Sequence, residues 1–408
     1  MDLECVVMTR TGGVSVGLAS LARGLFSAAT AAIAVICRYA AFVITDSAFL
    51  TGLLDTAYTL AFAGAAYWLA SGRAPMSART SIVVGGLVSA AATAVVGLLT
   101  PLREYVWLVL LLLVIGVVTG LNYPAWYSLL RGGREVNELR EWIGTYESVR
   151  IGAILVGTAG SGLVAHQLGL EATMVLVASV FAAVGLLALA FPRQRVGDPS
   201  QPEHTEPPPV HFDVAIHRRI RLLLGLLAAM QLMVAPIIAV TPVLAVEGVD
   251  GGIAHVGVLF ALFSAGAALQ FVAMNAVARG VRAPVLVAIT VALMLGSAVL
   301  AAVWDTVVSA GLLMASFGFG VASIGTLVNA EIQTSLPEAL RDQYVSKYAL
   351  IAAIPFAVGS GLWGLTADFV PVPNIAVVST VLIAAALLLV WRWVRGRGVD
   401  YGGPSMRN

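Results

Sequence analysis

Stretches of roughly 20 apolar residues follow one another along this chain with only short polar interruptions, and about 20 is the number that carries a helix across about 30 Å of hydrocarbon. In lipid every backbone N–H and C=O must be satisfied within the protein, so such stretches are read as helices. Twelve are predicted. The first six cover 13–37, 47–70, 80–100, 105–130, 142–168 and 172–191. The other six cover 220–246, 254–278, 284–303, 307–330, 344–370 and 374–394. The first stretch is too long for the apolar core of a signal peptide and is taken as the first span. Only 11% of the residues are charged, against about 25% in a soluble domain, so a water-covered globule is excluded.

Between the sixth and seventh stretches lies a Pro-, Glu- and His-rich segment that cannot build a core and reads as a flexible linker. The predicted organisation is a six-helix half over 1–192, a cytoplasmic linker over 193–219, a second six-helix half over 220–396 and a tail over 397–408. Positive charge orients it. With the amino terminus inside, the inner loops and tail collect most of the arginines, among them Arg73, Arg79, Arg131, Arg140, Arg279 and Arg395. The outer loops keep Arg38 and Arg103. By the positive-inside rule both termini face the cytoplasm and the chain is a multi-pass protein of the cytoplasmic membrane.

An internal echo supports two equivalent halves. Ile151-Gly-Ala-Ile154 followed by Gly160-Ser-Gly-Leu163 is matched by Ile351-Ala-Ala-Ile354 followed by Gly359-Ser-Gly-Leu362. This pairs the fifth stretch with the eleventh, as a repeated six-helix unit requires. The expected fold is therefore an all-α polytopic membrane protein of twelve helices in two pseudo-repeats.

Several functions are excluded or left without support. A formal net charge of +1 gives no electrostatic footprint for nucleic acid. Two cysteines, Cys5 and Cys37, and five scattered histidines offer no disulfide framework and no metal-ligand spacing. No phosphate-binding GxxxxGK[ST] loop is present to supply ATP-driven transport. No cofactor is expected. An integral membrane enzyme would need a nucleophile with a base at one membrane face, and His166 with Glu171 is a poor candidate.

Six plus six spans with a central linker resemble the major facilitator superfamily of secondary transporters. In that family the loop after span two carries Gly-x-x-x-Asp-Arg-x-Gly-Arg-Arg. Here Gly64 and the basic end, Arg73 and Arg79, are kept, whereas Trp68 stands at the acid's place. The resemblance implies that Gly64, Arg73 and Arg79 belong to a cytoplasmic gating loop. Span four has Gly116 and Gly120 in a stretch where many proton-coupled exporters carry an arginine. Span five, Ala153 to Gly162, resembles the Gly-Pro-x-x-Gly-Gly motif of drug/proton antiporters, with Thr158 for proline and Ser161 for a glycine. Gly157, Gly160 and Gly162 are thus expected to bring helices close together. Asn122-Tyr-Pro124-Ala125, Tyr146-Glu147-Ser148 and Leu336-Pro337-Glu338-Ala-Leu340-Arg341 resemble the branch holding lysophospholipid transporters with macrolide and siderophore exporters.

Ionisable groups inside spans are costly and mark functional candidates. The first half has Arg23, Asp55, Glu147 and Arg150. Glu147 and Arg150 lie three apart and share a helix face. By depth, Arg23 and Asp55 come within reach of one another. These four act either as structural ion pairs or as substrate and proton sites, and a gate pair that breaks during transport would be both. Asp55 and Glu147, with Arg23 beside them, are the candidates for proton coupling or gating. Because the superfamily fold lines its cavity with spans one, four, seven and ten, the resemblance puts Arg23 on the substrate path. Arg23, Asn122, Arg150, Gln231 and Asn329 are the substrate-binding candidates, with arginine suited to phosphate or carboxylate. Membrane amides such as Gln270 more often bond helix to helix.

A charged first half facing an apolar second half suits an amphipathic substrate. The expected function is alternating-access export of a drug or metabolite, anionic molecules included, coupled to protons. The alternatives are lysophospholipid translocation and a non-transporting sensor built on the same fold. The expected partners are that substrate, protons and the bilayer, with the protein acting as a monomer.

Overall fold

The computed structural model describes residues 16–70, 76–99, 104–131, 136–191, 214–246, 252–278, 283–303, 306–335 and 338–395. The first half contains α1 (Val16–Thr45), α2 (Ala48–Ala70), α3 (Ala78–Leu99), α4 (Tyr105–Arg131), α5 (Val136–Leu168) and α6 (Leu170–Leu187). The second contains α7 (Val214–Ala239), α8 (Thr241–Val246), α9 (Ile253–Ala278), α10 (Ala283–Val303), α11 (Val307–Ser335), α12 (Glu338–Ala367) and α13 (Val372–Arg395). α7 and α8 are two pieces of one span. Pro242, which has no N–H for the helical ladder, follows the break at Val240. Among the described residues ten helices are long and apolar enough to cross a membrane, and α10 and α13 contribute two shorter apolar stretches. The twelve predicted spans are thus accounted for. α7 begins inside the segment expected as linker; residues 192–213, 396–408 and Arg73 and Arg103 lie outside the described residues.

Packing repeats from half to half. α1 lies on α5, α2 on α4 and α3 on α6 in the first half; α7 lies on α12, α9 on α11 and α10 on α13 in the second. Each contact of the first set has its counterpart six spans later. Two hydrophobic cores result. One gathers Phe26, Trp126 and Phe181, and the other gathers Met230, Phe317 and Ile324.

The halves meet through α2 against α12 and α5 against α9, pairs that the repeat exchanges for one another. Their close contacts gather at the end that bears the α1–α2, α5–α6, α8–α9 and α12–α13 connections, called the far end here. Glycine makes the approach possible. A methyl group on Gly52 would meet the Ser360 carbonyl, one on Gly364 the Ala48 carbonyl at 2.8 Å, and one on Gly162 the Gly257 backbone at 2.8 Å. The two echoed segments therefore perform equivalent tasks: Gly160-Ser-Gly162 closes on α9, and Gly359-Ser-Gly361 closes on α2 and α7.

Candidate functional site

The longest departure from the predicted spans brings the main charged site together. α1 continues to Thr45 instead of ending near Cys37, so Arg38 sits within a helix and not in an outer loop. Counting from the α1–α2 connection, Arg38 and Asp55 lie at similar depths, about 10 Å below it at 1.5 Å per residue. They meet there. The Arg38 Nε donates to Asp55 Oδ1 at 2.7 Å, and its Nη2 lies 2.6 Å from the same oxygen. The pairing expected between Arg23 and Asp55 is therefore replaced by Arg38–Asp55.

That pair reaches across the molecule. The Arg38 guanidinium lies over the ring of Phe260, 4.8 Å from its centroid, and Phe260 belongs to α9 of the second half. A cation on an aromatic face gains about 0.5–2 kcal/mol, most when desolvated. Asp55 Oδ2 is buried without a hydrogen-bond partner. Tyr58, one turn along α2, lies in electrostatic range of Arg23, Arg38 and Asp55.

Other bonds join the halves at the same end. Thr56 of α2 donates to the Ala357 carbonyl of α12 at 2.7 Å. Asp368, just beyond α12, accepts from the Ser47 hydroxyl at 3.1 Å and from the backbone N–H groups of Ala48 at 2.7 Å and Phe49 at 3.4 Å. It caps the amino end of α2 from the opposite half, where unpaired N–H groups and the helix dipole favour a carboxylate. Asp368 lies 320 residues from Ala48 along the chain, so no local sequence signal marks the contact.

Arg23 has different surroundings. It is 5% exposed and lies over Trp126 of α4 at 5.6 Å from the ring centroid. Trp126 in turn packs on Phe26 and Phe191. The Arg23 Nε and the Trp126 Nε1 are both buried donors with no acceptor. Arg23 is held in the interior of the first half beside an aromatic cluster, and among the described residues it pairs with no acid, contrary to the expectation.

The remaining candidates disperse. Asn122 is 1% exposed and accepts from the Ser81 hydroxyl of α3 at 2.8 Å. Since the main neighbours of α3 are α4 and α6, Asn122 faces away from the second half, contrary to the expectation of a place on the substrate path. Gln231 is half-buried on α7 and Arg150 half-buried on α5. The side chains of Glu147 and Asn329 lie outside the described residues, although both backbones are helical. Gly64 is exposed at the end of α2 with open space around it, and Arg79 is half-buried at the start of α3. Gly157 and Gly162 permit close approach to Ala28 and Gly257, whereas a methyl group on Gly160 would meet open space, so no close approach requires a glycine there. Gly116 and Gly120, found where exporters carry an arginine, let α4 press against the Tyr58 and Phe62 carbonyls of α2. Gln270 does bond helix to helix, accepting from Thr326 of α11.

Comparison with known proteins agrees with this architecture. A crystal structure of a bacterial homolog to the human lysosomal transporter Spinster, inward-facing and unoccupied, superposes with a TM-score of 0.69 at 14% identity, covering 93% of this chain and 96% of that one. The crystal structure of the nucleoside transporter NupG gives 0.69 at 12% identity, covering 94% and 99%. At such identities the likeness speaks for the fold. Among curated proteins none matches the sequence. The profile of the Major Facilitator Superfamily matches residues 13–360, and the chain belongs to that superfamily.

Proposed function

We propose that this protein is a secondary transporter that exports an anionic amphipathic molecule by alternating access, with protons as the coupling ion. Membership of the superfamily supports transport by two rocking halves. The observation that carries the substrate class is Arg23: a buried guanidinium whose Nε has no acceptor. A cation removed from water without a carboxylate is costly. A phosphate or carboxylate arriving from the opposite half's side would supply the missing acceptor, and the surrounding Trp126 and Phe26 suit an apolar body.

Proton coupling is assigned to Asp55. While ionised it holds Arg38 over Phe260; once protonated it loses the charge that fixes the guanidinium, and the far end is freed to part. With the termini cytoplasmic, as the arginine distribution favours, the far end is the outer face and the closed contacts belong to an inward-facing state. Glu147, beside Arg150 on α5, is the second proton candidate.

Thermal stabilisation of the purified protein by matched anionic and cationic amphiphiles, with Arg23→Met alongside the wild type, tests the substrate class. Stabilisation by anionic compounds that disappears in the variant is expected. Preference for cationic compounds, unchanged by the substitution, would overturn it. Within the anionic class, a response to single-tailed phospholipids alone would identify lysophospholipid translocation as the activity.

A further inference from the structure

A second cationic site lies far from Arg23, in the other half. Arg221 on α7 and Lys347 on α12 line one crevice of about 430 Å³ together with Leu224, Gly225, Ala228 and Ile351. Among the described residues neither cation pairs with a carboxylate. Lys347 is steadied over the ring of Tyr344, 4.6 Å from its centroid. Gly225 is exposed and has no atom within 4 Å of where a Cβ would stand, so the crevice is open along α7.

The crevice has a polarity gradient. Its charged mouth lies toward the end at which α1 begins and α13 ends. Arg221 and Ala228 are seven residues apart, about 10 Å along the helix, and the lining between them is apolar. The outer direction is set by α12. Beyond Lys347 and Ile351, Ile354, Val358, Leu362 and Leu365 follow at helical spacing, each between 46% and 58% exposed. This stripe continues past the level at which the two halves close on each other, so it faces the hydrocarbon and not the space between the halves. The face of α12 that meets α2 is a different one, formed by Ala357, Ser360 and Gly364.

We infer that the α7–α12 crevice binds an anionic membrane phospholipid, its phosphate bridged by Arg221 and Lys347 and an acyl chain laid along Gly225, Ala228 and Ile351. Two cations above an apolar groove, opening sideways at the edge of a lipid-facing stripe, match that chemistry and not that of a free anion. The phosphate joins two helices that otherwise touch through apolar surface. This site is independent of the substrate reading for Arg23.

The full-length protein, extracted in zwitterionic detergent and titrated with phosphatidylglycerol or phosphatidylcholine under native mass spectrometry, tests the inference. Wild type is expected to retain phosphatidylglycerol in preference to phosphatidylcholine. The Arg221→Gln, Lys347→Gln double variant is expected to bind it about thirtyfold more weakly, the loss due to two cations at a lipid surface. Gly225→Leu, which fills the groove and keeps both charges, is expected to expel the lipid as well. Retention unchanged in both variants would overturn the site. Displacement of the lipid by millimolar inorganic phosphate would overturn the assignment to a lipid.

Discussion

Arg23 and Arg38 stand on the same helix fifteen residues apart, and their surroundings are opposites. Arg38 has a carboxylate, Asp55, against two of its nitrogens and an aromatic ring from the other half across its face. Arg23 has an aromatic ring and, among the described residues, no acid. A guanidinium that is already neutralised holds structure together. One left without an anion is a place where an anion can gain. On the proposed reading, the contrast distinguishes a gate residue from a binding residue more clearly than depth in the membrane does, since both lie inside one apolar helix.

The strongest attempt to break the contrast is Asp55→Ala. It leaves Arg38 buried without its partner and should lower stability by about 3–5 kcal/mol, read as a fall in melting temperature; adding Arg38→Met should recover most of it. Next is Gly52→Val, whose side chain meets the Ser360 backbone. Overpacking costs about 1–3 kcal/mol, and the far end should be forced apart, read as increased labelling of a cysteine introduced at Ser47. Asp368→Asn comes third. It removes the charge from the amino end of α2 and should cost about 0.3–1 kcal/mol, with a smaller rise in the same labelling. The smallest effect on stability belongs to Arg23→Met, which removes a contact with Trp126 worth about 0.5–2 kcal/mol together with an unsatisfied charge. Its melting temperature should stay near that of the wild type while anionic ligands cease to raise it. A large fall instead would place Arg23 in the same class as Arg38.

Much of the architecture is legible in the sequence. Apolar runs gave the spans, and the echo of Gly160-Ser-Gly162 in Gly359-Ser-Gly361 pointed to the repeat that packing later displays. The site was less legible. Ending the first span near Cys37 put Arg38 in a loop, because a charge following an apolar run reads as a boundary. In the fold, α1 has 30 residues, about 45 Å at 1.5 Å per residue, longer than the hydrocarbon demands. The usable signal was the turn: Arg38 and Asp55 are nearly equidistant from the residues that join α1 to α2, as partners across a helical hairpin must be. Asn122 was misplaced because its depth is visible in sequence and its direction is not; only the Ser81 contact shows that it turns toward α3. Asp368 meets α2 from the far side of the chain, a relation that depends wholly on tertiary structure. Gly157 and Gly160 look alike in sequence, yet a Cβ on Gly157 would strike α1 and one on Gly160 would meet open space. Spacing marks a helix face without saying what will cover it.

The glycines at the far end bear on how quickly such a seam can open. Where Gly52, Gly162 and Gly364 meet carbonyls and α-carbons of the opposite half, backbone meets backbone and these contacts need no rotamer change to part. Two such surfaces can separate and rejoin as stiff bodies, retracing the same path in each direction. In the proposed transport cycle, side chains elsewhere would decide when the seam opens, and the bare backbone would let the halves part and rejoin without repacking.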